Sequence, residues 1–579
     1  GIVVSEPERF PIKDSLYGKS ILSAQTNGRG AALTSQLTKT YDNGFYAKAQ
    51  GTVKGYGDFE APEYVLSNTG VRENALSAQF GLNKLNYGID GYYSFFDSTI
   101  GILRASHIGG AEDQVAAINS ERPQIIEDFT YAIDVPRQEV THHLGKVSAF
   151  AKLKNLGKVA FQYDVQHNKR FEYDVRRTDD NTPSVDLELL THTALLSLET
   201  NLTDNIHSKV GITGSFQENS ANPNTGVRRL IPDYKQYKAG AFAITDVQFS
   251  DRLVGEAGIR LDHTSMDVFK FYRSSFWESR GYDALFPDLV VEDFGNQILT
   301  NPTPDFTNVS ATLGASYKLN DQFTLFANYA LASRAPNPSE LFSEGLHHSA
   351  SRIELGDLRF TSETSQKITA TLQKKGNQLN FTVNPYVHYI SDFILIEPTG
   401  IRQTIRGNFQ VWEYRQTEAR LMGVDFDLNY KVTDQLQYGN QISIVDGRDT
   451  SQDTALINMP PARITNSLVY DLPLSHPITM GATSTYVFEQ TEFPDNNFEV
   501  FFPYTEMVET VDISTPPGAY HLLGFNVSTE FHTGKNQNLK LALQISNALD
   551  TSYRDYLNRL RYYADDLGRN IRLQIKYNY

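Results

Sequence analysis

Cysteine is absent from the 579 residues, which removes disulfides and thiolate metal sites, and with them the small secreted scaffolds and zinc ribbons. No run of about 18 apolar residues exists, so no helix of this chain is suited to span a bilayer. Positive charge is in deficit, with 52 Lys and Arg against 68 Asp and Glu, a formal charge of −16. That balance repels a polyanion on average and excludes nucleic acid as an expected partner. Linkers, Pro/Ser-rich spacers and composition shifts are also missing, so one large architecture is expected. The opening Gly1-Ile2-Val3-Val4 lacks the basic and long apolar regions of a signal peptide. Neither G-x-S-x-G nor H-E-x-x-H occurs, and no Gly-rich phosphate loop is visible; no enzyme is expected.

What the chain does have is aromatic residues, 12% of the total with Tyr 32 and Phe 34, a load that favours β-structure. Period-two alternation is the dominant pattern. From Asn570 to Tyr579 apolar residues take the odd positions and polar ones the even positions, giving a strand with one greasy and one wet face. Leu539, Leu541, Leu543 and Ile545 repeat it, as do the stretches from Phe161 to Val165 and from Val424 to Tyr430.

Turn signals set the architecture. Short Asn/Asp/Gly-rich segments occur at Tyr41–Gly44, Asn83–Asn86, Lys154–Lys158, Asn201–Asn205 and Ser250–Arg252. The series continues at Leu319–Gln322, Lys375–Asn377, Val432–Gln435, Asp471–Ser475 and Thr533–Gln537. Such residues suit tight hairpins. Between them lie intervals long enough for two strands and a polar loop, notably Thr99 to Glu139, His263 to Asn308, Arg334 to Glu363 and Glu489 to Ala519. Outer-membrane barrels pair short periplasmic turns with long outer loops in this way. The fold class expected is therefore all-β: a transmembrane antiparallel β-barrel of about 22 strands, multi-pass in the outer membrane of a Gram-negative bacterium. A barrel that wide is a size associated with plugged transporters, yet no stretch of the sequence reads as a plug.

The C-terminal run Asn547-Ala548-Leu549-Asp550-Thr551-Ser552-Tyr553, with Gly568-Arg569-Asn570 and the final strand, resembles the closing hairpin of TonB-dependent outer-membrane receptors. Arg334-Ala335-Pro336-Asn337-Pro338-Ser339-Glu340-Leu341, followed by Gly345-Leu346-His347-His348 and Glu354-Leu355-Gly356-Asp357, is similar to the R-x-P-x-x-x-E-L motif and following loop of that family, particularly the subgroup of zinc and iron-complex importers. Gly101–Gly109 and Pro136–His143 resemble its early barrel segments. Gly1–Pro7 resembles the end of the plug domain, which divides the chain into an exit segment, 1–10, and a barrel, 11–579.

The resemblance implies import of a scarce nutrient, a metal ion or siderophore-like metal complex, with ligand held by outer loops and lumen. No cofactor is implied beyond a transported or loop-bound metal ion. Implied partners are membrane lipid and lipopolysaccharide, the TonB complex acting through a plug outside these residues, the barrel-assembly machinery, and a surface lipoprotein or separate plug chain. Tyr577 and Tyr579 match the terminal aromatic signal for assembly. The alternatives are a plugless or separately plugged porin-like channel and an envelope docking barrel.

Candidate ligand contacts are His107, Arg334, His347, His348, Glu354 and Asp357. Imidazoles and carboxylates suit a borderline metal such as zinc. Adjacent residues of an extended segment point opposite ways, however, so His347 and His348 are not expected to share one ion unless the chain turns there. His107 precedes Gly109-Gly110, where a loop could fold over the lumen. Arg334 reads either as a fork for an anionic ligand or as a salt-bridge partner of Glu340. His142 and His143 are expected to face lumen and lipid headgroups respectively, or the reverse. The clusters Tyr92–Phe96 and Phe269–Tyr272 read as interface girdle; Phe501-Phe502 is open between girdle and ligand contact.

Overall fold

The structure is a computed structural model that describes residues 10–175, 181–404, 407–502, 506–535 and 537–579. Twenty-two antiparallel strands follow one another around a closed barrel. The first, Ser15–Gln25, pairs with the last, Asn570–Asn578, in register from Lys19↔Asn578 to Gln25↔Arg572. Closure leaves no free sheet edge.

Alternation decides which face meets lipid. In Val71–Asn83 exposed and half-buried residues alternate, and Leu76 and Phe80 point outward with neighbours such as Leu33, Leu37 and Val53. Opposite them, small polar residues face the lumen and bond across strands, as in Thr34 Oγ1 to Thr52 Oγ1 at 2.9 Å. All ten short turns fall where the sequence places them, the tenth including residue 536, which lies outside the described residues. Gly44 (φ +82°) and Asn155 (φ +65°) take left-handed backbone at two of them, conformations that Gly and Asn adopt readily.

At the other end the structure departs from a simple strand-and-loop rhythm. A strand needs about 9–11 residues to cross the bilayer, but Leu379–Thr404 and Gly407–Lys431 contain 26 and 25 and stand well above it. Leu253–Arg273 likewise runs on through His263, so the loop expected from His263 begins at Ser274. Alternation continues to its end, with Met266, Val268, Lys270 and Tyr272 buried and Phe269 and Phe271 exposed. The expected girdle role thus fails for half of Phe269–Tyr272, because Lys270 and Tyr272 pack under loops.

A barrel has no central core, and the described buried hydrophobic clusters lie mostly in the outer loops and strand extensions. The largest joins Leu103–Ile118, Tyr64, Trp412, Leu456, Phe502, Val511, Ile513, Tyr562 and Tyr563. Phe502 is buried there and Phe501 is exposed. The 101–137 connection leaves the fifth and sixth strands, forms the helix Ala111–Ile118 and reaches the fifteenth and sixteenth, nearly half the circumference away. Gln114 Nε2 donates to Tyr563 Oη at 2.6 Å, and Gln403 Nε2 to the Gly109 carbonyl at 3.2 Å. Gly407 is what lets the loop land, because a Cβ there would overlap the Ile108 carbonyl and its φ is +131°. The inward-folded loop foreseen around Gly109-Gly110 is thus a cap across the barrel mouth.

Candidate metal site in the loop cap

Three outer connections meet beneath this cap. His107 follows the short helical turn Arg104–Ser106; Asp174 ends the seventh strand, one residue past Tyr173; His348 begins the turn His348–Ala350 in the loop after the thirteenth. That turn links the hairpin strands Glu344–His347 and Arg352–Leu355, and the second runs parallel to the extension of Gly407–Lys431 through Arg352↔Gln410. The hairpin is thereby held against the wall on which the His107 loop lands.

One ligand atom from each of His107, Asp174 and His348 lies within 4.8 Å of the others, and all three residues are buried. His107 Nε2 is 3.6 Å from Asp174 Oδ1 and His348 Nδ1 is 3.2 Å from Asp174 Oδ2. The imidazoles lie nearly parallel, 6.5 Å between centroids, and Phe409 packs edge-on against His107. Ligand bonds of about 2.1 Å in tetrahedral array separate neighbouring donors by about 3.4 Å. The two His-to-carboxylate spacings, each to a different oxygen of Asp174, lie on either side of that value, and the remaining spacing is within 4.8 Å.

The proton positions are inferred from the hydrogen bonds. Ser106 Oγ donates to the Leu103 carbonyl (2.7 Å) and Ser351 Oγ to Ser106 Oγ (2.7 Å), so the 3.0 Å contact of Ser106 Oγ with His107 Nδ1 is supplied with its proton by the ring. Nε2 then carries the lone pair, has no hydrogen-bond partner and faces a carboxylate oxygen. Two electron-rich atoms face each other, an arrangement that a cation between them stabilises. Burial pushes His107 down to about 4, against the opposing pull of Asp174, so the ring is neutral at physiological pH. Burial alone would raise Asp174, but the His348 imidazole, 3.2 Å away, outweighs burial and holds the carboxyl below the usual carboxylate range. Nε2 of the fully buried His348 has no hydrogen-bond partner, and its Nδ1 faces only Asp174.

His347 points the other way, as the alternation of an extended chain requires. Its Nδ1 lies 3.0 Å from Glu354 Oε1, and Arg170 approaches its Nε2 at 3.4 Å. Arg170 pairs with buried Glu172, and Arg352 Nε donates to Glu354 Oε1 at 2.9 Å. His347 and Glu354 therefore brace the hairpin beside the cluster. Asp357 is elsewhere, accepting from Tyr282 Oη (3.0 Å) and paired with Arg359. Arg334 is clasped by Glu340 (2.9 and 3.1 Å) and Glu363 (3.1 and 3.0 Å), the salt-bridge reading with a second carboxylate added. His143 faces outward against Tyr93 and Phe95, and His142 lies by Asn168 on the other face. Tyr579 closes the seam, exchanging backbone bonds with Gly18 at 2.7 and 3.0 Å, and its ring lies tilted against that of Tyr577, 5.6 Å between centroids. Asp174 is the member that sequence reading missed; the signal was Glu172 and Asp174 two apart on one face at a strand end.

A β-barrel family model described as TonB dependent receptor-like matches residues 16–548. The chain belongs to that family, whose members are outer-membrane receptors that depend on TonB. No curated protein matches the sequence. Among solved structures, the copper transporter OprC superposes with a TM-score of 0.74 at 16% identity, covering 99% of this chain and 82% of that one. The FrpB iron transporter of Neisseria meningitidis, F3-3 variant, gives 0.68 at 13%, covering 98% and 82%. The ferric yersiniabactin uptake receptor FyuA of Yersinia pestis gives 0.65 at 11%, covering 98% and 80%. Such identities establish the fold. This family and these neighbours are transporters and receptors rather than enzymes, as the missing catalytic motifs led one to expect.

Proposed function

We propose that this TonB-dependent receptor imports a transition-metal ion or a small complex of one across the outer membrane of a Gram-negative bacterium, and that His107, Asp174 and His348 hold the metal on its way in. The convergence of these three residues from separate outer loops carries the reading. Two imidazoles and a carboxylate suit zinc or copper, and similarity to copper and iron transporters supports metal cargo. The cluster is fully covered, so the cap must move for an ion to enter, and a closed cap speaks against an open porin-like pore. His347 and Glu354 act as braces rather than ligands. Residues 1–10 are proposed as the plug exit segment and 11–579 as the barrel; residues 1–9 lie outside the described residues, and TonB would act through the plug.

Metal titration of the purified protein tests the reading. Zn²⁺ and Cu²⁺ are expected to bind at one site that His348→Ala abolishes. Ser351→Ala, which removes a hydroxyl contacting Ser106 and His107 Nδ1, should weaken binding by about 10–100-fold, with the melting temperature unchanged. Stoichiometric binding that survives His348→Ala would overturn the assignment.

A further inference from the structure

Next to the metal cluster is a second cavity, of about 230 Å³, between the hairpin turn, the extension of the sixteenth strand and the last outer loop. Its lining includes Arg352, Arg559 and Arg561 but no Asp or Glu. Arg352 is neutralised by Glu354 at 2.8 Å. Arg561 is not neutralised. It is 6% exposed, its guanidinium sits 4.7 Å from the Tyr556 ring and 4.5 Å from the Tyr562 ring, and it donates to Tyr562 Oη (2.7 Å) and Asn458 Oδ1 (3.3 Å). No carboxylate among the described residues lies within ion-pair distance of it.

A permanently charged group held away from water without a counter-ion is costly, and Arg cannot escape by losing its proton. On the same wall Gln410 accepts from Trp412 Nε1 through Oε1 (2.9 Å), and its buried Nε2 faces the Tyr563 hydroxyl without a hydrogen bond of good geometry. A guanidinium whose partners are all neutral, Tyr562 Oη, Asn458 Oδ1 and the Asn558 carbonyl, beside an amide N–H on one cavity wall favours an acceptor bearing negative charge.

We propose that this cavity is a binding site for a small oxyanion, a carboxylate or phosphate group gripped by Arg561 with Gln410 Nε2 as second donor and Arg559 at the entrance. The volume equals about eight water molecules at about 30 Å³ each, which admits a small acid. Ser351 lines the cavity and also touches His107, so anion and metal would sit on either side of one turn.

Trp412 lines the cavity, and the chain has 2 Trp, the other being Trp277 in a separate cluster. Tryptophan emission therefore reports the site. In the full protein stripped of metal with a chelator that is then removed, citrate and inorganic phosphate are titrated separately. A saturable emission change is expected, lost in Trp412→Phe, at least 10-fold weaker in Arg561→Gln and partly restored in Arg561→Lys. A response to citrate alone assigns a carboxylate, and one to phosphate alone a phosphate group. Silence to both, by emission and by calorimetry, would overturn the proposal, as would equal affinity in Arg561→Gln with its melting temperature retained. Because the titration is done without metal, it stands or falls separately from the metal site.

Discussion

Glu354 shows how one side chain ties the cap to pH. Burial alone would raise its pKa, but the His347 hydrogen bond and the Arg352 guanidinium outweigh burial and hold the carboxyl down to about 2, from an ordinary 4.5. A carboxyl depressed on folding stabilises the folded form fully above its unfolded pKa, and that stabilisation is lost as pH falls towards the folded one. The size of the depression corresponds to about 3 kcal/mol. The hairpin Glu344–Leu355 is therefore expected to lose hydrogen-exchange protection between about pH 4.5 and 2, after correction for intrinsic rates. Glu354→Gln should be weakly protected at every pH, and equal wild-type protection at both ends of the window would contradict the account. At this scale the sequence was half legible. His107 and His348 stood out because imidazoles are rare in loops rich in Gly and Ser, and the opposed directions of His347 and His348 follow from chain geometry alone. Asp174 did not stand out, because a pair of acids two apart at a strand end is ordinary until a fold brings residues 107 and 348 to one of them.

Elements were read best where local chemistry decides them. The turns were legible since Asn, Asp and Gly mark them without reference to the rest of the molecule. Strand lengths at the outer end were not, because alternation looks the same in a strand facing lipid and in one extended above it under a loop. The seam between the first and last strands lies between these cases. Tyr579 stood out in the sequence as a terminal aromatic, while Gly18, the residue it packs on, did not. A Cβ on Gly18 would overlap the Gln36 carbonyl oxygen and come within 2.7 Å of the Tyr579 ring, so the glycine lets the second strand and the terminal aromatic both close on the first. Gly18→Val is expected to lower the folded fraction of barrel, read from the mobility of unheated protein in gels, as is a charged replacement of Tyr579. Gly51→Val, at a position where a Cβ meets nothing, should leave assembly intact. Equal folding of Gly18→Val and Gly51→Val would show that this close approach does not matter.

For the whole molecule the decisive feature is that the loops cross the mouth rather than ring it. Contacts such as Gln114 to Tyr563 join residues 449 apart, and no spacing rule in a single sequence reaches that far; the occluder that the sequence left unexplained is supplied in part by this cap. If metal passes through the cluster, the bridge from the 101–137 connection to the fifteenth strand has to release. The absence of cysteine makes this directly testable. Gly109 and Gln403 are both exposed, joined by the bond from Gln403 Nε2 to the Gly109 carbonyl, and a Cβ on Gly109 meets only Asp113, at 3.6 Å. Cells carrying Gly109→Cys with Gln403→Cys, treated with a short reducible bis-maleimide, are expected to lose metal uptake and to regain it when the linker is cut. Each single variant should take up metal normally after the same treatment. Uptake that persists with the pair fully cross-linked would mean that the entry path runs beside the bridge and that His107 lies off it.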